Sequence, residues 1–365
     1  MTDKFWHKVA RTFIKAGVFP VPISDTLIEL LQTLITKEQA KFILIYKKPS
    51  MTLDQIKQKI DMQEKSIIKM LNDLMHNGII VGTRSRNTGV MVYRLMGLYP
   101  GIFEYTFLRG ESSEREKHLA ILFEKLFDEI TKGTQKNYDS IINVFKDLPP
   151  TDRTIPIEKE VEVGTETVMP FEELIRYVEE YDDIALVHCY CRHAKDLIND
   201  PCKIGASKNN CFLFDKTARF GIEQGFGRAI SKEEAIKILS EAEDEGLVHK
   251  VFHVHSDTNR GIEALCNCCK CCCGMISMYY RGAAPIHTMS SYLAYVDENS
   301  CIGCGTCVKK CPMETIDLDD TIVTVNEDKC IGCGVCAHHC PEEAMHLKRI
   351  GLRNVFIPPM RIQVG

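Results

Sequence analysis

Apolar residues near the start of the chain recur at intervals of three and four, the spacing of helices that bury one face. The pattern predicts helices over residues 24–48, 52–60 and 63–77, and a capping box starts the second one at Thr52. Over residues 79–95, apolar and polar residues alternate around a turn, which predicts a β-hairpin. The first module is therefore predicted as helices followed by a hairpin.

An amphipathic helical segment is predicted over residues 111–148, because large apolar residues there form one continuous stripe. The stripe consists of Leu119, Leu122, Phe123, Leu126, Phe127 and Ile130. We interpret this segment as a connector that packs on its neighbours, with a partner-binding helix as the alternative. Three prolines between positions 149 and 156 indicate a linker after it.

Strand and helix patterns alternate in the remainder of the chain. The predicted elements are a hairpin at 161–168, a helix at 170–181, an apolar strand at 184–192, a capped helix at 231–246, a strand at 291–300, a hairpin at 316–326 and a strand at 344–350. This order favours small units that combine helices and strands, each with its own core.

We predict a multidomain α+β protein, because 365 residues have room for two or three domains. The parts are a helix-and-hairpin module at 1–110, the connector at 111–148, a cysteine-rich α/β metal-binding domain at 149–290, a small C-terminal domain at 291–350 and a tail without assigned role at 351–365. Lys and Arg number 16 against 9 Asp and Glu in residues 1–110, 22 against 33 in residues 111–300, and 7 against 8 in residues 301–365. A basic first third beside an acidic middle supports separate modules with separate surfaces.

Cysteine changes the picture, because the chain has 18 cysteines and all of them lie between positions 189 and 340. Two runs near the C-terminus, CIGCGTCVKKCP and CIGCGVCAHHCP, repeat the spacing C-x2-C-x2-C-x3-C-P. Glycines inside each run allow tight backbone turns around a cluster, and a proline turns the chain after the fourth cysteine. Zinc sites use other spacings, so iron-sulfur ligation is the stronger interpretation.

This segment resembles the two-cluster bacterial ferredoxin domain. The resemblance implies two [4Fe-4S] clusters, each held by three cysteines of one run and the last cysteine of the other. One implied ligand set is Cys301, Cys304, Cys307 and Cys340. The other implied ligand set is Cys330, Cys333, Cys336 and Cys311. The resemblance also implies one-electron transfer with a redox protein as partner, without naming a reaction.

Ten further cysteines lie in the predicted middle domain. They are Cys189, Cys191, Cys202, Cys211, Cys266, Cys268, Cys269, Cys271, Cys272 and Cys273. Because consecutive side chains diverge, we expect the dense block at 266–273 to serve two centres or one large cluster rather than one small ion. Ten thiols suffice for two [4Fe-4S] clusters, either one from the first four cysteines and one from the block, or by a mixed division.

Three interpretations of these ten thiols stay open. One or two further iron-sulfur clusters come first, because an adjoining ferredoxin domain would then have a destination for its electrons. Structural zinc is the second interpretation, since sites built from four cysteine thiolates are common and stable. A reactive or redox-switching thiol site is the third.

Histidines and arginines near these cysteines are secondary candidates. The histidines are His188, His253 and His255. Each could ligate metal or transfer protons, although hydrogen-bonded histidines without either role are more common. The arginines are Arg192, Arg219 and Arg228. They either offset the negative charge of thiolate-bound iron or form ordinary ion pairs.

Two weaker resemblances concern the partners and the cofactors of the protein. Residues 38–96 resemble a winged helix-turn-helix, which implies that the helix at 63–77 enters the major groove of DNA while Arg84 and Arg86 touch phosphates. Winged helices also dock proteins, so DNA and protein are alternative partners of this module. The cysteine pattern across residues 170–345 resembles a group of iron-sulfur proteins from anaerobes, which adds cofactor class more than function.

We therefore expect an iron-sulfur electron-transfer protein that relays single electrons between a redox partner and middle-domain clusters. The alternatives are a reductase with its active site at a middle-domain iron-sulfur centre and a redox-responsive DNA-binding regulator. The N-terminal residues have neither the apolar segment nor the cleavage site of a secretory signal, and no stretch reaches the length of a membrane span. The expected location is the cytoplasm of a cell with little oxygen.

Overall fold

The computed structural model describes residues 2–17, 19–85, 88–150, 152–157, 173–253 and 261–363, which form helices and three β-sheets. The helices in this part are α1 Thr2–Ala16, α2 Asp25–Leu34, α3 Lys37–Ile43, α4 Leu53–Lys57, α5 Glu64–His76, α6 Ile102–Phe107, α7 Glu114–Lys136, α8 Tyr138–Asp147, α9 Leu174–Glu180, α10 Tyr190–Leu197, α11 Asp215–Glu223, α12 Lys232–Asp244, α13 Gly274–Tyr280, α14 Thr306–Lys310 and α15 Val335–His338. The strands are β1 Ser50–Thr52, β2 Ile80–Arg84, β3 Met91–Leu95, β4 Asp152–Ile155, β5 Ile184–Val187, β6 Cys211–Phe214, β7 Gly227–Ala229, β8 Val248–His253, β9 Ile262–Cys268, β10 Ile286–Val296, β11 Ile316–Asp319, β12 Ile322–Val325 and β13 Met345–Ile357.

The first module contains helices and a hairpin in the predicted order. Helices α2 to α5 bury their apolar faces in one core, and Thr52 and Gln55 form the predicted capping box at the start of α4. Strands β2 and β3 form the hairpin, and β1 completes the sheet on the other side of β3. Helix α1 was absent from the predicted elements, although Trp6, Val9 and Phe13 bury one helical face at the expected spacing.

The predicted connector forms two consecutive helices, α7 and α8. The apolar stripe of α7 is buried, which confirms its interpretation as a packed helix. The ring of Phe103 in α6 lies 5.1 Å from that of Phe123, 5.2 Å from that of Phe127 and 5.8 Å from that of Tyr190 in α10. These aromatic contacts join the helices of the first 148 residues to the segment that carries Cys191.

One eight-stranded sheet joins the two predicted C-terminal domains. Its strand order is β13-β10-β4-β8-β9-β6-β5-β7, and every neighbouring pair is antiparallel except β10 with β4. Strand β10 crosses the predicted boundary between residues 290 and 291, and β13 continues into the predicted tail at 351–365 as far as Ile357. Pairing between distant strands depends on register across the sheet, which local sequence did not reveal.

The antiparallel pairing of three strands gathers cysteines at one end of this sheet. Val187 at the end of β5 pairs with Cys211 at the start of β6, and Phe212 pairs with Leu265 near the end of β9. Segments 188–191 and 266–273 therefore leave the sheet on the same side. The hairpin predicted at 161–168 lies outside the described residues.

Candidate metal centres

In the two C-terminal cysteine runs, the last cysteine of each run lies near cysteines of the other. One group lines a single cavity beside β10, and we call it the inner set: Cys311, Cys330, Cys333 and Cys336. We call the other four the outer set: Cys301, Cys304, Cys307 and Cys340. Burial raises the pKa of Cys307, and the neighbouring thiols of Cys340 and Cys304 add to the rise. The last cysteine of each run thus lies with cysteines of the other run.

The two sets differ in exposure. Burial raises the pKa of Cys333 in the inner set to about 12. In the outer set Cys304 is exposed, and the adjacent Ile302 is 61% exposed. The inner set therefore faces the rest of the protein, whereas the outer set reaches solvent.

Backbone amides donate hydrogen bonds to the sulfurs of both sets. The N–H groups of Thr315, Gly332 and Ala344 lie 3.5, 3.4 and 3.3 Å from the Sγ atoms of Cys311, Cys330 and Cys340, in that order. Such donors stabilise negative charge on sulfur and tune the potential of a bound cluster.

Gly332 has a backbone conformation and surroundings that exclude a side chain. Its φ is +63°, and a Cβ atom there would lie 2.2 Å from the carbonyl oxygen of Tyr292. Gly332→Ala is therefore expected to destabilise the protein by about 2–5 kcal/mol, the sum of left-handed strain and overpacking. It also moves the amide away from Cys330, so we expect loss of iron from the inner set.

The matched control for this substitution is Gly351→Ala. Gly351 also has a positive φ, +85°, but a Cβ atom there would meet open space. Its expected cost is about 1–2 kcal/mol, with no loss of iron. Unfolding under argon together with an iron count compares the two variants. Equal destabilisation and equal iron content would contradict the close fit at Gly332.

Seven middle-domain cysteines line one buried cavity at the gathered end of the large sheet, and one of them, Cys269, also belongs to a second group. We call the other six the six-thiol nest: Cys189, Cys191, Cys211, Cys266, Cys268 and Cys273. Each is at most 8% exposed. Within the nest, the thiol of Cys211 lies in hydrogen-bond contact with Cys189 and Cys266. Cys273 makes the corresponding contacts with Cys191 and Cys268. The six sulfurs therefore surround a common space.

Two buried hydrogen-bond donors beside the nest have no acceptor within the described residues. Arg192 lines the same cavity, and its Nε atom has no hydrogen-bond partner within the described residues; the same holds for Nδ2 of Asn210. The N–H of Gly274 donates to Cys191 Sγ at 3.2 Å. Because buried polar groups are nearly always paired, the open donors and the six thiols fit a sulfide-bearing cluster.

The other four middle-domain cysteines form a second, tighter group. We call it the four-thiol group: Cys202, Cys269, Cys271 and Cys272. All four Sγ atoms lie within 4.8 Å of one another. Cys202 comes from the loop before β6, and the other three come from the turn after β9. A hydrogen bond from Cys272 lowers the pKa of Cys269 to about 5, so a thiolate is favoured there.

The structure brings the ten thiols together in the mixed way. Cys202 lies apart from Cys189, Cys191 and Cys211, so the division that assigned these four to one cluster does not occur. The expectation that neighbouring cysteines diverge is also corrected, because the Sγ atoms of Cys271 and Cys272 lie 3.6 Å apart. Alternation holds for extended strands, whereas these two residues occupy a tight turn.

Among the three candidate arginines, Arg192 alone is buried, at 1% exposure. Its guanidinium donates to the carbonyls of Ser207 and Asn267 at 2.8 and 2.7 Å and to Oδ1 of Asn210 at 2.9 Å. Burial alone would lower the pKa of Arg192, but the surrounding thiols, Cys189 and Cys269 first, outweigh that effect and raise it. Arg192 therefore places a permanent positive charge between the nest and the four-thiol group.

The other candidates take less central positions. Arg219 pairs with Asp183 and Asp215 at the surface, and Arg228 pairs with Glu234. These are ordinary ion pairs, as the simpler interpretation held. The candidate histidines also take less central positions. His188 lines a separate cavity of about 260 Å³, His253 is buried at the end of β8, and His255 lies outside the described residues.

The inner set contacts the cysteine block through two side chains. Tyr280, at the end of α13, donates its hydroxyl to the carbonyl of Pro312 at 2.9 Å, next to Cys311. Lys270, inside the block, forms an ion pair with Glu314 and lies over the ring of Tyr280, with Nζ 4.9 Å from the ring centre. The middle thiols and the inner set therefore belong to one packed region.

A family model described as a 4Fe-4S dicluster domain matches residues 294–347. The match includes both C-terminal cysteine runs, so the chain carries an iron-sulfur dicluster domain of ferredoxin type there. Such a domain supports electron transfer in general. In the described residues, no helix combines the length and apolar character needed to cross a membrane.

Several residues of this region escaped the sequence interpretation. Asn210 and Asn267 form a buried network with Arg192 and His249, in which Oδ1 of Asn267 lies 2.6 Å from Nδ1 of His249. Tyr280 was not singled out either. The only available signal was adjacency to cysteines in the sequence, which does not distinguish buried polar groups from exposed ones.

Proposed function

We propose that this protein transfers single electrons between an external redox partner and a cluster in the six-thiol nest, with the dicluster domain between them. The observation that carries the proposal is the packed contact of the inner set with the cysteine block through Tyr280 and Lys270. A ferredoxin domain that ended in solvent on both sides would need no such contact.

Exposure supports a direction for this path. The outer set includes the exposed Cys304, beside the exposed Ile302, and forms the end that an external protein can approach. The inner set lies in the apolar core, where Cys333 packs in the same cluster of buried residues as Cys268 and Cys273. Each [4Fe-4S] group would supply a one-electron carrier at these positions.

A short helix spans the step from the inner set to the nest. Helix α13 starts directly after Cys273, a member of the nest, and ends at Tyr280, which contacts the residue after Cys311. Seven helical residues extend over about 10 Å. This helix therefore links the two thiolate groups directly through the protein.

The nest suits a cluster better than a single ion. Within the described residues, only the four-thiol group holds all of its sulfurs within 4.8 Å of one another, so the nest is wider. Six thiols exceed the four that one cube needs and leave two as neighbours of the cluster. We propose one further iron-sulfur cluster here, held by four or more of the six.

Magnetic coupling between the centres tests this path. In protein isolated under argon and fully reduced with dithionite, electron paramagnetic resonance is expected to give about three spins per chain with spectra broadened by mutual interaction. Only about two spins per chain, both from the dicluster domain, would contradict electron transfer into the nest. A third spin without any interaction would contradict the close approach through α13.

A reductase is the second candidate, favoured by the cavity of about 260 Å³ beside the nest. Arg109, His188 and Arg228 line it, and His188 precedes Cys189 in the chain. The cavity would suit a small anionic molecule. Reoxidation of the reduced protein by small acceptors alone, at a rate that Arg228→Ala lowers, would support a reductase, whereas dependence on a protein acceptor supports the relay.

We propose that the first module is a winged helix that docks a protein rather than DNA. The exposed face of α5 carries Glu64 and Asp73 beside Lys65 and Lys69, so it lacks the uniform positive charge that phosphates attract. Lys216 of α11 donates to the carbonyl of Arg84 in the hairpin, which ties the wing to the middle region. A gel-shift series with salt-dependent DNA binding would overturn the docking role.

A further inference from the structure

The four-thiol group, Cys202 with Cys269, Cys271 and Cys272, has a geometry unlike that of the nest. We propose that it binds one zinc ion, tetrahedrally and with no open position, and that this ion holds the loop at 198–210 in place. The inference is independent of the electron path, because it concerns a site with a structural role.

The sulfur spacing matches one ion. A zinc ion with four thiolates at about 2.3 Å places the sulfurs at the corners of a tetrahedron with edges of about 3.8 Å. The measured Sγ–Sγ distances are 3.9 Å from Cys202 to Cys269, 3.7 Å from Cys202 to Cys271, and 3.6 Å from Cys271 to both Cys269 and Cys272. These distances fit the edges of such a tetrahedron.

The same distances distinguish this site from a formed disulfide and from a cubane cluster. A disulfide requires sulfurs about 2.05 Å apart, far closer than any pair here. A [4Fe-4S] cube places an iron behind each thiolate, so it requires sulfurs much farther apart than one shared ion does. Because four thiolates complete the tetrahedron, no coordination position is left for a substrate, which is the mark of a structural site.

The loop that such an ion would hold has no regular secondary structure, although Ser207 bonds to Glu245 and Lys208 to Asp196 near its end. Residues 198–210 contain neither helix nor strand between α10 and β6. Cys202 ties the middle of this loop to the turn after β9, and Ala206 packs with Ala242 and Leu247 beside the thiols. A zinc ion would therefore cross-link the loop to the sheet, as metal does in small domains that fold around it.

The position of this loop matters for the nest. Its residues Ser207 and Asn210 supply two of the three acceptors that hold Arg192, and Arg192 lines the nest. The zinc site would thus fix the buried cation beside the proposed cluster without carrying electrons itself. A redox-inactive ion suits that role, since zinc does not change its charge.

Metal analysis of the whole protein and of two matched variants tests the proposal. Protein isolated under argon from zinc-replete cells is expected to contain about one zinc per chain. Cys202→Ser, which removes the loop ligand, should lower zinc at least tenfold, while the dicluster domain keeps its iron and sulfide. Cys266→Ser, in the nest, should lower iron and sulfide and leave zinc unchanged.

A spectroscopic measurement on the unaltered protein covers the case in which Cys202→Ser does not fold. Zinc K-edge absorption is expected to give a first shell of four sulfurs at about 2.3 Å. Zinc below a tenth of an equivalent in the unaltered protein, or unchanged zinc in Cys202→Ser, would overturn the proposal. A single iron in place of zinc would overturn it as well.

Discussion

Cys333→Ala is expected to remove the inner cluster and to disconnect the nest from the outer set. Cys333 is 8% exposed and lines one cavity with Cys311, Cys330 and Cys336, so it supplies one of the four thiols that this cavity offers to a cluster. Iron should fall by about four atoms per chain, the content of one cube. Electrons delivered to the outer set should then reach the nest far more slowly, because the intermediate carrier is absent.

Rapid-freeze electron paramagnetic resonance measures this delay directly. The control is Ile302→Ala, which changes an exposed residue beside the outer set and leaves every cysteine in place. It should retain all the iron and the rapid appearance of the middle signal. If Cys333→Ala filled the middle centre as fast as the unaltered protein does, electrons would enter the nest by another route, and the proposed order of centres would be wrong.

Arg192→Met is expected to destabilise the protein strongly and to empty the nest of iron. The substitution leaves two buried acceptors, the carbonyl of Asn267 and Oδ1 of Asn210, and the part-buried carbonyl of Ser207 without their donor. It also leaves negative thiolate charge uncompensated in a buried site. Removal of one partner from such a buried arrangement costs about 3–5 kcal/mol. The outer and inner sets lie in a separate cysteine framework, so about eight irons per chain should stay.

Two further variants isolate the cause. Arg192→Lys keeps the charge, but an ammonium cannot reproduce the planar fork that reaches three acceptors, so an intermediate loss is expected. Arg219→Ala removes a surface arginine that pairs with Asp183 and Asp215, and its expected cost is about 0–1 kcal/mol. Urea unfolding under argon compares the three. Equal stability of Arg192→Met and Arg219→Ala would contradict a role for buried charge.

The sequence was most informative where the chemistry is local. Each C-terminal run carries its own spacing and its own glycines, which carry the resemblance to two-cluster ferredoxins, and that resemblance implied the crossed arrangement of Cys311 and Cys340. The helices of the first module were equally accessible, because the apolar face of a helix such as α5 repeats within a few turns.

The grouping of the middle thiols could not be predicted, because it depends on contacts between distant segments. Cys202 meets Cys269 only because antiparallel pairing of β6 with β9 returns the chain to the same end of the sheet. The turn after β9 then brings the Sγ atoms of Cys271 and Cys272 together. The pairing of β10 with β13, about 60 residues later, was hidden for the same reason.

The burial of individual side chains was the second property that the sequence did not reveal. Arg192, Arg219 and Arg228 look alike in the sequence, yet only Arg192 lies at 1% exposure beside thiols. A positively charged residue is rarely buried without partners, so the burial of Arg192 marks it as part of a site. The sequence had presented it as one of three equivalent arginines.

A count of iron and acid-labile sulfide per chain, on protein isolated under argon, tests the central claim most directly. With the outer set, the inner set and the nest each holding a cluster, we expect at least about twelve of each, four for every cube. About eight of each would restrict clusters to the dicluster domain and contradict a relay into the nest.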